Sequence, residues 1–147
     1  MDYRWLKFLL AASLVGLAAP ASAGTLVGIG GKCLDVPDGN TEDGTQVVLW
    51  TCDGSPQQKW TLSDGKLVGI GGKCLDVNGG ATDDGTKVQI WTCEKGAPEQ
   101  KWAFKGGALV GVGGKCLDVP NGNKKDGTKI HLWTCEQDAA EQKWILK

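Results

Sequence analysis

Three aspartates and three tryptophans recur as pairs 15 residues apart: Asp35 with Trp50, Asp76 with Trp91, and Asp118 with Trp133. A flat aromatic ring can cover the C–H face of a sugar, and a carboxylate can accept hydrogen bonds from two hydroxyls. Turn-forming residues lie between the members of each pair, so a β fold can bring them together. Two plainer readings stand beside this one. The tryptophans could be core residues, because Trp is often largely buried. Each aspartate follows Cys-Leu and could cap a turn through backbone N–H groups. A second set, Trp60, Trp102 and Trp144, gives two tryptophans per pair. One small core has little room for six indoles, so one set is expected inside and the other at a surface pocket.

Other chemistry finds little support. The chain has no G-x-S-x-G or H-E-x-x-H stretch and no isolated cysteine to serve as a nucleophile. His131 is the single histidine, and a plain strand-face position accounts for it. Asp43, Asp83, Asp84 and Asp126 lead into Asp-Gly turns and lack the alternating oxygen spacing of a calcium loop. Lys124, Lys125 and Lys129 form a small basic cluster, read as a solvated face. An enzyme, a metal site and a cofactor are therefore not expected. Nor is a nucleic-acid partner, because the tryptophans are not interleaved with dense Lys or Arg.

The elements that must position these residues come from an internal repeat. LVGIGGKCLDVPDGNTEDGTQVVLWTC starts at Leu26, LVGIGGKCLDVNGGATDDGTKVQIWTC at Leu67 and LVGVGGKCLDVPNGNKKDGTKIHLWTC at Leu109. The first two agree at 20 of 27 positions, and each copy is followed by Gln-Lys-Trp. The units span 26–66, 67–108 and 109–147. Within each, short apolar runs are broken by Gly-Gly, by a turn such as Pro37-Asp38-Gly39-Asn40, and by Asp-Gly-Thr. The stretch from Gln46 to Cys52 is rich in β-branched and aromatic residues, as strands are. No segment carries a helical apolar period. Four strands in each of three units predict about twelve strands, all β. A unit of this length cannot bury a core alone, whereas three around a pseudo-threefold axis can close a barrel. A β-trefoil is the expected architecture; a propeller shares the period but needs four or more blades.

Residues 1–7 carry Arg4 and Lys7, residues 8–19 are apolar, and Ala21-Ser22-Ala23 follows. This is the pattern of a secretory leader. The apolar run is too short to span a bilayer comfortably, and no second one exists. Residues 1–23 are thus expected to be a signal peptide and 24–147 the mature domain, secreted and extracellular. The mature part has 22 glycines in 124 residues, about 18% against a usual level near 7%, and a net charge of −2. Its six cysteines, two per unit and always 19 apart, read as a disulfide framework in an oxidising compartment. Fifteen pairings are possible, and pairing inside each unit (Cys33-Cys52, Cys74-Cys93, Cys116-Cys135) keeps the units equivalent. Zinc or redox chemistry is the weaker alternative, with no CxxC and one histidine.

The repeated CLDV, the (L/I)W and the three QxW triplets resemble the ricin-type (R-type) lectin family, over the whole of the expected mature chain. The resemblance implies a β-trefoil with up to three shallow sugar sites, often for galactose- or xylan-type glycans. It matches Asp35, Asp76 and Asp118 to the aspartate that binds sugar hydroxyls, and Trp50, Trp91 and Trp133 to the aromatic that stacks under the ring. The polar residue two before that aromatic, commonly Gln, is Val48, Gln89 and His131. The residue before the QxW Gln, commonly Asn, is Gln57, Glu99 and Glu141. Trp60, Trp102 and Trp144 match buried core tryptophans. The second unit keeps its set together and is the strongest candidate site. Val48 weakens the first by removing a polar partner, and the third has His131, which can donate or accept a hydrogen bond. Glu99 and Glu141 lack an amide donor, so ligand preference should differ from that of galactose-specific relatives. The overall expectation is a monomeric, non-catalytic glycan-binding domain. A protein-binding or inhibitory trefoil and a structural domain with degenerate sites are the alternatives.

Overall fold

The computed structural model describes residues 21–147. The leader expected over residues 1–23 lies outside the described residues except for its last three. The first repeat contributes β1 (Ser22–Val27), β2 (Cys33–Asp35), β3 (Val48–Trp50) and β4 (Lys59–Ser63). The second contributes β5 (Lys66–Val68), β6 (Cys74–Val77), β7 (Val88–Trp91) and β8 (Ala103–Lys105). The third contributes β9 (Ala108–Val110), β10 (Cys116–Asp118), β11 (Thr128–Lys129), β12 (His131–Trp133) and β13 (Ile145–Leu146). The described residues form an all-β trefoil with thirteen strands, one more than the repeat arithmetic gives. The surplus arises because the third strand of the last repeat is divided at Ile130. At the equivalent positions, Gln46 and Lys87 make single bridges to Gln89 and His131.

Six strands build a barrel and the others cap it. Hairpins β4–β5 and β8–β9 join successive repeats, and β13 pairs with β1 through Leu26↔Leu146 and Val27↔Ile145, which closes the circle. Closure leaves the first and last strands without an open edge. Hairpins β2–β3, β6–β7 and β10–β12 form the cap. They meet in a ring of backbone bonds: Val47 N–H donates to Val88 (3.1 Å), Val88 to Ile130 (3.4 Å) and Ile130 to Val47 (3.1 Å). A closed ring of three equivalent bonds is what an approximate threefold axis requires.

The core takes six residues from each repeat; Leu26, Leu34, Val36, Val47, Leu49 and Trp60 are the first set. Trp60, Trp102 and Trp144 are buried, and their Nε1–H groups donate to the carbonyls of Leu34, Leu75 and Leu117 at 3.0 Å. An indole is admitted to a core when its one donor is satisfied. Each ring lies against a glycine backbone. A Cβ added to Gly69 would sit 2.7 Å from Trp60 Cζ3, and Gly28 and Gly111 relate in the same way to Trp144 and Trp102. Disulfides join Cys33 to Cys52, Cys74 to Cys93 and Cys116 to Cys135, each within its repeat.

Three aspartates read as simple turn residues do more than turn the chain. Asp43 accepts from Thr92 N–H (2.8 Å) and Lys73, Asp84 from Thr134 N–H (2.7 Å) and Lys115 (2.7 Å), and Asp126 from Thr51 N–H (2.8 Å) and Lys32 (2.8 Å). Each bond crosses from one repeat to the next. The lysine ammonium first, and the threonine donors after it, hold these carboxyls below their usual pKa. Asp83 is not part of a clasp.

Candidate functional site

The register of the cap hairpins explains the 15-residue spacing. Cys74 pairs with Trp91 and Asp76 with Gln89, so the aspartate and the tryptophan are diagonal neighbours across the hairpin. Cys33↔Trp50 with Asp35↔Val48, and Cys116↔Trp133 with Asp118↔His131, repeat the arrangement. The residue two before each tryptophan therefore stands directly opposite the aspartate.

Each pair lines an open hollow on its repeat. The first is formed by Asp35, Pro37, Asp38, Trp50 and Gln57. Asp76, Asn78, Gly79, Gln89, Trp91, Glu94 and Glu99 form the second. The third is formed by Asp118, Pro120, Asn121, His131, Trp133, Glu136 and Glu141. Their volumes are about 350, 310 and 320 Å³, at the small end of ligand clefts. All eleven predicted site residues fall in these hollows, sorted by repeat. Trp50 is 42% exposed and Trp91 37%, while Trp133 is half-buried and stacked on His131 with ring centres 5.1 Å apart.

The aspartates lie at the buried end of each site, at 3–4% exposure. They are not turn caps. The QxW glutamine, also buried, holds each one from below: Nε2 of Gln58, Gln100 and Gln142 donates to Oδ2 of Asp35 (2.8 Å), Asp76 (3.0 Å) and Asp118 (2.9 Å). The same nitrogen donates to the carbonyl after the tryptophan, on Thr51, Thr92 and Thr134. Its oxygen accepts the N–H of Asp53, Glu94 and Glu136. One side chain thus pins the carboxylate, the strand end and the following loop together. Sequence reasoning missed this role, although the glutamine's recurrence in all three repeats was the available signal. It also missed the lining loop at Pro37-Asp38, Asn78-Gly79 and Pro120-Asn121, together with Glu94 and Glu136.

The repeats differ at the second carboxylate oxygen. Gln89 Nε2 donates to Asp76 Oδ1 at 2.9 Å, and His131 Nε2 lies 2.6 Å from Asp118 Oδ1. Val48 carries no donor. Burial is the main cause that raises the Asp35 and Asp76 carboxyls above their usual pKa, and the glutamine bonds offset part of it. No group of metal-binding side chains occurs among the described residues, and no helix there is long and apolar enough to cross a membrane.

The family model for the ricin-type beta-trefoil lectin domain matches residues 22–144. The chain belongs to the ricin-type β-trefoil lectin domain family. It is accordingly a lectin domain, built to bind carbohydrate. Among solved structures, this lectin domain is similar to ThreeFoil, a designed 3-fold symmetric protein. The two are 34% identical with a TM-score of 0.76, over 84% of this chain and 96% of that one. An exo-beta-1,3-galactanase from Clostridium thermocellum is 32% identical with a TM-score of 0.75, over 85% of this chain. The lectin domain spans 30% of that enzyme. The agglutinin from Abrus precatorius shares the fold, with a TM-score of 0.78 and 24% identity over 91% of this chain; the lectin domain spans 51% of its length.

Proposed function

We propose that this lectin domain is a secreted, non-catalytic glycan-binding module with up to three shallow sites, each using an aspartate and a stacking tryptophan. The observation that carries the reading is the repeated hollow, in which a carboxylate fixed by the QxW glutamine lies beside an indole open to solvent. A sugar ring would stack on the indole while its hydroxyls donate to the carboxylate. The second hollow is the strongest site, because Asp76, Gln89 and Trp91 converge there and Trp91 is exposed. Galactose- or xylan-type glycans are the proposed ligands. The similarity to a galactanase favours the first, and Glu99 and Glu141 in place of an amide argue for a preference of its own. Three sites on one rigid monomer would gain by avidity on a polymer.

Residues 1–23 are proposed as the secretory leader. Disulfides in all three repeats fit an extracellular destination. Cleavage after Ala23 would remove the Ser22↔Leu62 and Ala23↔Thr61 pairs and leave Gly24↔Trp60 and Thr25↔Lys59 to hold β1 on β4.

The test is titration of the mature protein against galactose- and xylan-type oligosaccharides, with Asp76→Ala and Trp91→Ala alongside. Each variant is expected to lose about tenfold or more at the second site. Unchanged binding in both would sink the site assignment. A parent that binds no glycan would instead favour the protein-binding or structural alternative.

A further inference from the structure

The three hollows differ in what completes the buried aspartate. Gln89 and His131 occupy Oδ1 of Asp76 and Asp118, whereas Asp35 Oδ1, opposite Val48, meets no donor among the described residues. Asp35 is 3% exposed. Its free oxygen is nonetheless reachable, because the one wholly buried side-chain oxygen or nitrogen without a partner among the described residues is Ser55 Oγ. Water can reach that oxygen in the open hollow, and a ligand's donor would take the water's place there.

Asp35 and Asp38 line the first hollow with Trp50 and Gln57. No cationic side chain lines it or the second hollow, where Asp76, Glu94 and Glu99 stand, so what sets the first apart is the carboxylate oxygen left open opposite Val48. Burial, then Asp53, Asp38 and Asp126, all push the Asp35 carboxyl up. A hydroxyl would complete the hydrogen bond and leave the negative charge unanswered. A protonated amine does both, and a cation near an exposed indole face is attracted to it as well. Asp38 puts this hollow's second carboxylate on the turn, whereas the other hollows carry theirs at Glu99 and Glu141, where this one has Gln57. Asp38 holds a left-handed backbone (φ 58°) where the other repeats place Gly79 (φ 63°) and Asn121 (φ 55°). A carboxylate is thus present where glycine or asparagine serves the same turn.

We propose that the first hollow selects a glycan bearing a protonated amine, such as a de-N-acetylated amino sugar. Asp35 Oδ1 and Asp38 receive the amine, and Trp50 receives the ring. The proposal rests on the reading that these hollows hold sugar rings, and it makes Val48 the residue that sets the first repeat apart.

The test uses the mature protein, isotope-labelled for NMR, with the Trp50 and Trp91 indole signals followed at about pH 6.5, where the amine is charged. The probes are a glucosamine trisaccharide, its fully N-acetylated counterpart and a neutral galactose oligosaccharide. The amine form is expected to bind at Trp50 at least about tenfold more tightly than the acetylated form, and raised salt should narrow the gap. Val48→Gln copies the second repeat, and Asp38→Asn copies Asn121 in residue type and conformation, so both should fold. Each is expected to cut the preference about threefold or more. Equal affinity of the two trisaccharides at Trp50, or a preference that survives both substitutions, overturns the proposal. If Trp91 responds to the galactose oligosaccharide while Trp50 ignores the amine, this proposal alone fails. If Trp50 responds to the amine and Trp91 to no neutral glycan, the neutral-sugar reading fails and this one stands.

Discussion

Replacing Gln100 by leucine removes the pin beneath the second site with little change in volume. Gln100 is fully buried and makes three bonds: Nε2–H to Asp76 Oδ2 (3.0 Å), Nε2–H to the Thr92 carbonyl (3.0 Å), and Oε1 from Glu94 N–H (2.8 Å). Thr92 and Glu94 are exposed, so water can replace the lost partner at roughly 0.5–1 kcal/mol each. Asp76 is 4% exposed, and stranding one of its charged oxygens costs about 1.5–3 kcal/mol. The expected loss is about 3–4 kcal/mol, which lowers the urea midpoint of the oxidised protein by about 2 M. The pH dependence has a definite sign. Burial raises the Asp76 carboxyl, and Gln100 is one of the groups that hold it down. The folded state therefore binds a proton more readily than the unfolded one, and the cost of the buried charge is present at neutral pH and relieved as pH falls through the raised value. Removing Gln100 raises that value further, so the gap between variant and parent should shrink on acidification while still above about pH 3.8. Urea unfolding between neutral pH and that point measures both quantities. A loss below about 1 kcal/mol, or a gap independent of pH, would refute the reasoning.

Two further predictions test the surroundings. Asp84→Ala breaks the clasp from the second repeat to Thr134 and Lys115, and should lower the unfolding midpoint at neutral pH. Because Lys115 and Thr134 depress the Asp84 carboxyl, that contribution is present above the unfolded pKa and is lost as pH falls through the lower folded one. The gap should therefore close only below about pH 3.8, the reverse of Gln100→Leu. Gly69→Ala places a methyl 2.7 Å from Trp60 Cζ3. It should cost about 1–3 kcal/mol, read as a lower thermal midpoint; an unchanged midpoint would show that the ring can retreat.

Much of the fold was legible because it is written three times. The equal spacing of CLDV, (L/I)W and QKW required equivalent units, and units too small for a core of their own required closure. The strand lengths were less legible: the run Gln46–Cys52 pairs as a cap hairpin only over Val48–Trp50, since Gln46 turns to the neighbouring repeat and Cys52 to its disulfide. The site followed the same division. Asp76, Gln89 and Trp91 could be grouped from the repeat and the family resemblance, and the hairpin register later gave their spacing its reason. The buried Gln100 and the Asp43, Asp84 and Asp126 clasps could not, because Gln100 stands 24 residues from Asp76 and the clasp partners stand 30 to 94 residues from their aspartates.

Residue type and spacing by themselves determined the number of repeats, the all-β class, the cysteine pairs and the Asp–Trp sets, because each is fixed by local pattern copied in register. Tertiary structure alone decided how far Trp50, Trp91 and Trp133 each open to solvent, and how each aspartate is satisfied. Those outcomes depend on burial and on donors brought from distant segments. Val48, Gln89 and His131 differ by single residues in the sequence. Only across the folded hairpin does that difference become an unpaired carboxylate oxygen in one hollow and an occupied one in the other two.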